Sequence, residues 1–316
     1  MARFGRQLAS IVFFLLLPFG VVWGSEDYYF GDTKRQLSPE ASAEVEEGFR
    51  LFIKVWKTDP SKRHKSCVSC HEVPMPGGSG MSMTSTEVIV SEDSPSGFLP
   101  LGFEAPNQNP SDIIPLRTPA LFGIGLLERQ ACFPLEPPCS DGRLGYMQKL
   151  KSMEDFVAFA LDAEMGIKVD ATNGKYETAT RTEVKALAAY VRALVPPPTQ
   201  VKAGIEDQPG FKLFKSTRCA ACHSTSHVVL SSGIGHFYPF TDWSAHKVRN
   251  GRSYAVRTAP LWGLAYTGPP YLHDRTAASI LEAIEQHEGE AEDSLMRFRG
   301  LSAQDRKELI DFISDL

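Results

Sequence analysis

The chain has no basic stripe and no run of lysine or arginine: 33 Lys+Arg stand against 38 Asp+Glu, a formal net charge of −5. Nucleic acid and anionic membrane surfaces are therefore poor partners. It also has no hydrophobic run long enough to cross a bilayer comfortably. The one apolar stretch, Ile11 to Trp23, falls short of the roughly 20 residues a spanning helix needs. Strand signals are few apart from Glu87-Val-Ile-Val90. Histidine is scarce, 8 in 316 residues, and none lies between His71 and His223. Cysteine is scarcer still, with 6 in all.

Four of those cysteines fall in two short motifs, Cys67-Val-Ser-Cys70-His71 and Cys219-Ala-Ala-Cys222-His223. Each is a C-x-x-C-H, the attachment signature of a c-type haem. The spacing has a chemical reason. The two thiols add across the two vinyl groups of one porphyrin, and the next residue points its imidazole at the iron as the proximal ligand. A zinc knuckle would need a further Cys/His pair at finger spacing, and none stands around Cys67. Cys132 and Cys139 remain, separated by a loop with Pro134, Pro137 and Pro138. In an oxidising compartment they form a small local disulfide by default; a reactive thiol pair is the sharper alternative.

The first residues fit export. Arg3 and Arg6 precede the apolar run, Pro18 and Gly20 interrupt it, and Gly24 and Ser25 follow it. That is the layout of a secretory signal peptide over residues 1–24; an uncleaved anchor is the alternative. Haem attachment to such motifs takes place outside the bacterial inner membrane, so export and haem agree. The mature chain would have about 290 residues, enough for two domains. It would be periplasmic, with no stable membrane span after cleavage and a formal charge of about −7.

The chain also repeats itself. Gly48-Phe-Arg-Leu-Phe52 precedes the first haem motif and Gly210-Phe-Lys-Leu-Phe214 the second. Arg117-Thr-Pro-Ala-Leu-Phe-Gly-Ile-Gly125 follows the first, and Arg257-Thr-Ala-Pro-Leu-Trp-Gly-Leu-Ala265 the second. Each half closes with one apolar helical face: Leu187, Tyr190, Val191, Leu194, then Leu309, Phe312, Ile313, Leu316. Three matched elements in the same order make coincidence a poor account. The expected fold is mainly α and loop-rich, with two cytochrome c-like domains each binding one haem. In each, an N-terminal helix (Ala43 to Val55, Gln208 to Lys215) leads into the motif and a C-terminal helix packs back. The prolines of Val195-Pro-Pro-Pro-Thr199 favour an extended linker. The domains are then 25–198 and 199–316.

From Gly48 onward the chain resembles the bacterial di-haem cytochrome c peroxidase superfamily, which includes the di-haem enzyme that matures the tryptophan-derived quinone cofactor of methylamine dehydrogenase. It is most similar to the di-haem oxidoreductase branch, whose members are labelled peroxidase or thiol oxidoreductase. Beyond the repeated strings, Pro76-Gly-Gly-Ser-Gly80, Ala163-Glu-Met-Gly-Ile167, Tyr238-Pro-Phe-Thr-Asp242, Tyr271-Leu-His-Asp274 and the stretch from Leu281 to Glu290 carry the resemblance. It implies that an oxidant reacts at the N-terminal haem and that the C-terminal haem passes electrons. It puts Glu164 over the N-terminal iron, where a carboxylate can carry a proton between the two oxygens of a peroxide. Pro119 would shape the open face. Arg117 and Arg257 would pair with haem propionates. His71 and His223 would be the proximal ligands, and His287 the second ligand of the C-terminal haem, with His246 as competitor and His273 as packing. A calcium ion between the domains and a homodimer are both compatible with the resemblance.

Two departures stand out. The peroxidases carry a histidine in the loop after the first haem motif, and this chain has none there. The N-terminal haem is then five-coordinate or capped by Met75, Met81 or Met83. They also carry a tryptophan before a D-G-R string, whereas Ser140 precedes Asp141-Gly-Arg143 here. Tyr146 and Trp262 are the nearest aromatic substitutes. The preferred expectation is hydrogen peroxide reduction at the His71 haem, with electrons from a small soluble donor (a cytochrome or cupredoxin). A non-enzymatic electron carrier and a haem oxidase of an organic or protein substrate are the rivals.

Overall fold

A computed structural model describes residues 38–60, 62, 65–72, 74–80, 86–90, 98–100, 113–125, 144–146, 150–171, 175–194, 204–225, 229–231, 235–248 and 254–316. The leader, Met81, Met83, Cys132, Cys139, residues 140–143 and the 195–199 linker lie outside them.

Helix α1 spans Pro39–Ile53. Ser38 caps it, its hydroxyl accepting from the Ala41 N–H at 3.2 Å, and Pro39 presets the first turn. The helix thus starts a turn earlier than its apolar pattern suggests and stops at Lys54, leaving Val55 74% exposed. Three short antiparallel strands follow: β1 (Thr86–Val90), β2 (Phe98–Pro100) and β3 (Ile113–Leu116). β1 is central, with Val88 opposite Pro100 on one side and Ile114 on the other. Helix α2 (Met153–Met165) is capped by Ser152 and ends at Gly166 in the left-handed region, φ 71°. Helix α3 (Arg181–Ala193) opens with a capping box between Thr180 and Glu183.

The second half repeats the plan. α4 (Pro209–Ser216) precedes its haem motif. Hairpins β4–β5 (Val229–Ser231, Gly235–Phe237) and β6–β7 (Ala245–His246, Val256–Arg257) follow. Helices α5 (Leu264–Thr267), α6 (Ile280–Glu285), α7 (Glu292–Arg299) and α8 (Ala303–Ser314) complete it. Mainly helical and rich in loops, this is the expected fold class. Among the described residues no helix is long and apolar enough to cross a membrane.

The repeated glycines have a steric reason. α1 crosses α3 at Gly48, where a Cβ would overlap the Ala186 carbonyl and come within 2.7 Å of Tyr190 Cβ. α4 crosses α8 at Gly210, where a Cβ would overlap Phe312 Cβ and lie 2.9 Å from the Glu308 carbonyl. Both helix pairs need a residue without a side chain at the crossing. Around each crossing sits an apolar cluster. The first draws on residues 51–194, including Phe52, Leu187 and Val191, but also takes Trp243 and Trp262 from the second half. The second draws on residues 205–316, with Phe214, Phe240, Phe312 and Leu316. Fully burying one such side chain is worth about 1.5–3 kcal/mol.

Candidate functional site

Each C-x-x-C-H opens with a single 3₁₀ turn, Cys67–Ser69 and Cys219–Ala221; the second follows its half's helix at once, the first after residues 54–66. The turn puts the two thiols and the imidazole on one side. In the first half His71 Nδ1 lies 3.1 Å from the Gly78 carbonyl; in the second His223 Nδ1 lies 3.0 Å from the Phe240 carbonyl. A carbonyl only accepts, so Nδ1 carries the proton and Nε2 is left as the lone-pair nitrogen. That is how a metal-ligating histidine is usually oriented. Burial lowers both imidazoles to about 4, which keeps them neutral at neutral pH.

The loops behind the histidines match bond for bond. Ser79 Oγ donates to the Thr118 carbonyl at 2.7 Å, and Thr241 Oγ1 to the Thr258 carbonyl at 2.8 Å. Gly123 N–H donates to Leu194 O at 2.7 Å, and Gly263 N–H to Leu316 O at 2.6 Å. Both glycines sit at positive φ, 75° and 73°. The carbonyls of Pro119 and Ala259 face the two imidazoles.

A cavity with an empty volume of about 580 Å³ opens over the first motif. Cys67, Cys70 and His71 form one part of its wall. Helix α2 forms another, through Val157, Ala160, Leu161 and Glu164, which recur at helical spacing on one face. Glu164 is thus the acidic residue on an otherwise apolar wall, in the same cavity as the motif. Burial pushes the Cys67 and Cys70 thiols up to about 12, so both are protonated at neutral pH. Met75 lies in the turn behind His71, its carbonyl accepting from Gly78 N–H at 2.8 Å, and is not part of the cavity wall.

In the second half His287 stands opposite His223, their ring centres 6.4 Å apart and inclined by 53°. Its Nδ1 donates to the Ala283 carbonyl at 2.6 Å, so its Nε2 is also the lone-pair nitrogen. Two imidazoles bound to one metal through bonds of about 2 Å have ring centres about 6 Å apart. The pair therefore fits one iron between them. His246 differs. Its Nε2 meets Asp242 Oδ2 at 2.7 Å and its Nδ1 meets Glu290 Oε2 at 2.9 Å, so both nitrogens face carboxylates and not a backbone carbonyl. His273 packs between Tyr146 and Tyr254, with Nε2 3.2 Å from the Tyr254 hydroxyl.

Arg117 and Arg257 both lie near Tyr146. Arg117 donates to the carbonyls of Gly268 at 2.9 Å and Thr267 at 3.4 Å. Burial lowers Arg117, and lowers Arg257 to about 10. Two half-buried guanidinium groups suit an anionic partner such as a carboxylate. Tyr146 joins the two arginine loops: its hydroxyl donates to Arg117 O at 2.7 Å, and its carbonyl accepts from Arg257 N–H at 2.8 Å. Trp262, the other aromatic substitute, makes an edge-on contact with Trp243 at 5.9 Å. The Trp243 contact and the His246 carboxylate pair depend on tertiary packing, which the quoted strings holding Asp242, Glu290 and Trp262 do not reveal.

A twice-repeated motif turn, each with its imidazole proton committed to the backbone, defines a cytochrome c-like protein of the di-haem class. The chain belongs to the di-haem oxidoreductase family: residues 154–316 match the family model described as "Di-haem oxidoreductase, putative peroxidase". That match holds Glu164, the second motif and His287; the first motif lies before it. Among solved structures, the chain is similar to a "Kuenenia stuttgartiensis Hydrazine Synthase Pressurized with 20 bar Xenon", at 15% identity and TM-score 0.54, covering 95% of this chain and 98% of that one. It is also similar to a "MauG-like protein associated with microbial copper homeostasis", at 14% identity and TM-score 0.45, covering 94% and 95%. The first likeness concerns the fold. No curated protein sequence matches the chain.

Proposed function

We propose that the chain is an exported c-type di-haem enzyme that reduces hydrogen peroxide in the Cys67–Cys70–His71 cavity. Electrons reach that cavity through the His223–His287 site from a small soluble donor. The observation that carries this reading is a carboxylate, Glu164, sharing an apolar cavity with a haem-attachment motif. Each turnover takes two electrons and two protons and turns one peroxide into two waters. When bound, the haem supplies the iron at which the oxidant is reduced and the conjugated edge through which electrons enter. The chain supplies the rest. His71, neutral and oriented by the Gly78 carbonyl, holds one side of the site. Glu164 takes the proton from the near oxygen of peroxide and returns it to the leaving oxygen. Phe156, Leu161 and Val191 keep bulk water out. Arg117 and Arg257 pair with the propionates.

The test begins with protein purified from the periplasmic fraction, with haem content measured. Two covalently attached haems per chain are expected. Glu164→Gln keeps the size of the side chain but cannot shuttle a proton. Peroxide turnover should then fall by about 10²–10⁴-fold, with haem content and the spectrum of the C-terminal haem unchanged. Near-normal turnover in the variant removes Glu164 from the chemistry. A parent protein that exchanges electrons with small cytochromes yet consumes no peroxide is a carrier instead.

A further inference from the structure

Around His223 and His287, two segments approach one site from opposite sides. Phe240 accepts the His223 Nδ1 proton, and Asp242 lies two residues further along the same strap. Asp242 is itself fixed, its Oδ1 accepting from Ser244 N–H at 2.9 Å. On the other side, His287 leads into Glu288, Gly289 and Glu290. That segment is laced to residues 247–248: Glu288 N–H donates to Val248 O at 3.0 Å, Glu290 N–H to Lys247 O at 3.0 Å, and Lys247 N–H to Glu290 Oε1 at 2.9 Å.

One side chain adds a further bridge between the two segments. His246 reaches Asp242 with Nε2 and Glu290 with Nδ1. Ionised carboxylates only accept, so both contacts are hydrogen bonds only when both ring nitrogens carry protons. Such charge-assisted bonds are roughly twice as strong as neutral ones. The Cys222 sulfur, Asp242 oxygen and His246 nitrogen lie within 4.8 Å of one another, so the junction borders the motif itself. Burial opposes charging of His246, but the hydrogen bonds to Glu290 and Asp242 outweigh it and raise its pKa.

We propose that His246 is a positioning residue that clamps the strap behind His223 to the loop carrying His287, and so holds His287 in reach of the C-terminal iron. The proposal rests on His287 being the second ligand there. Without the clamp, the 288–290 segment keeps its backbone bonds to 247–248 but loses its tie to the Asp242 side, and His287 leaves the iron more readily.

The experiment uses the reduced holoprotein and carbon monoxide as probe. Carbon monoxide enters the C-terminal haem only when His287 leaves, so that haem gives the slow binding phase. His246→Ala should speed the slow phase by about tenfold or more, because it deletes both charge-assisted hydrogen bonds. It should also raise the high-spin fraction of that haem, with the N-terminal haem unchanged as internal control. Glu290→Gln keeps the shape, removes one acceptor charge, and should move the same phase in the same direction even if His246→Ala fails to load haem. An unchanged slow phase in both variants, while His287→Gly opens the site, overturns the clamp and leaves the ligand assignment standing. If His287→Gly leaves the haem low-spin and slow to bind, the ligand assignment fails and the clamp with it.

Discussion

Three histidines in this chain share one arrangement and a fourth does not. His71, His223 and His287 each give the Nδ1 proton to a backbone carbonyl, at 3.1, 3.0 and 2.6 Å, and so present Nε2. His246 spends both nitrogens on carboxylates. The difference sets histidines whose Nδ1 is held by the backbone apart from one held by two carboxylates, without reference to position in the chain. It also bears on the only ambiguity the sequence left at the second haem, since His246 and His287 are equally plain as letters. A histidine's partners are set by loops far away in sequence, so composition and spacing alone did not choose between them, and the preference for His287 came from the family resemblance. The prediction is spectroscopic. Substituting His287→Met should keep the C-terminal haem low-spin and raise its potential, because a Met/His pair sits higher than His/His. His287→Gly should make that haem high-spin. If His246→Gly gives a fully high-spin haem and His287→Gly does not, the ligand is His246.

At the scale of elements, the helix pairs carry the duplication. The strings around Gly48 and Gly210 look alike because both must let a second helix pass against bare backbone. Phe52 and Phe214, four residues on, then reach the imidazoles, with ring centres 6.2 Å from His71 and 6.4 Å from His223. The repeat was therefore visible in sequence: packing demands a side chain of zero size and an aromatic at fixed spacing. The start of α1 was not visible, because Ser38 and Pro39 extend it beyond its apolar face. Gly48→Ala puts the two effects in opposition. Alanine improves helix propensity by about 1 kcal/mol. The added methyl collides with the Ala186 carbonyl, which is backbone and cannot swing aside, and overpacking of this kind costs about 1–3 kcal/mol or more. The collision should win. Denaturant unfolding of Gly48→Ala should show a lower midpoint, and Gly210→Ala should behave alike at the other crossing. A midpoint at or above the parent's in either variant means that its helix pair can separate at no cost.

Across the whole molecule, the halves are bound by more than a linker. Trp243 and Trp262 leave their own half to pack in the first apolar cluster. Arg117 N–H donates to His273 O at 2.8 Å. Tyr146 is the closest link, because each of its polar ends holds one arginine loop. Two residues beyond each arginine, Pro119 and Ala259 turn their carbonyls to His71 and His223. A strain at one haem site thus has a short covalent and hydrogen-bonded route to the other, through one tyrosine. Burial raises the Tyr146 hydroxyl to about 12, against the pull of Arg117 and Arg257, so it remains a donor at neutral pH. Tyr146→Phe keeps the ring and its contact with His273 but deletes the bond to Arg117 O. Leaving a buried carbonyl short of its donor costs about 1–3 kcal/mol. The loss should fall on the seam rather than on either core. Unfolding followed separately at the two haems should therefore change from one shared transition to two displaced ones, with the apparent m-value of the combined curve reduced. If the variant unfolds in a single transition with the parent's midpoint and slope, Tyr146 does not couple the halves, and the tryptophan pair carries that role.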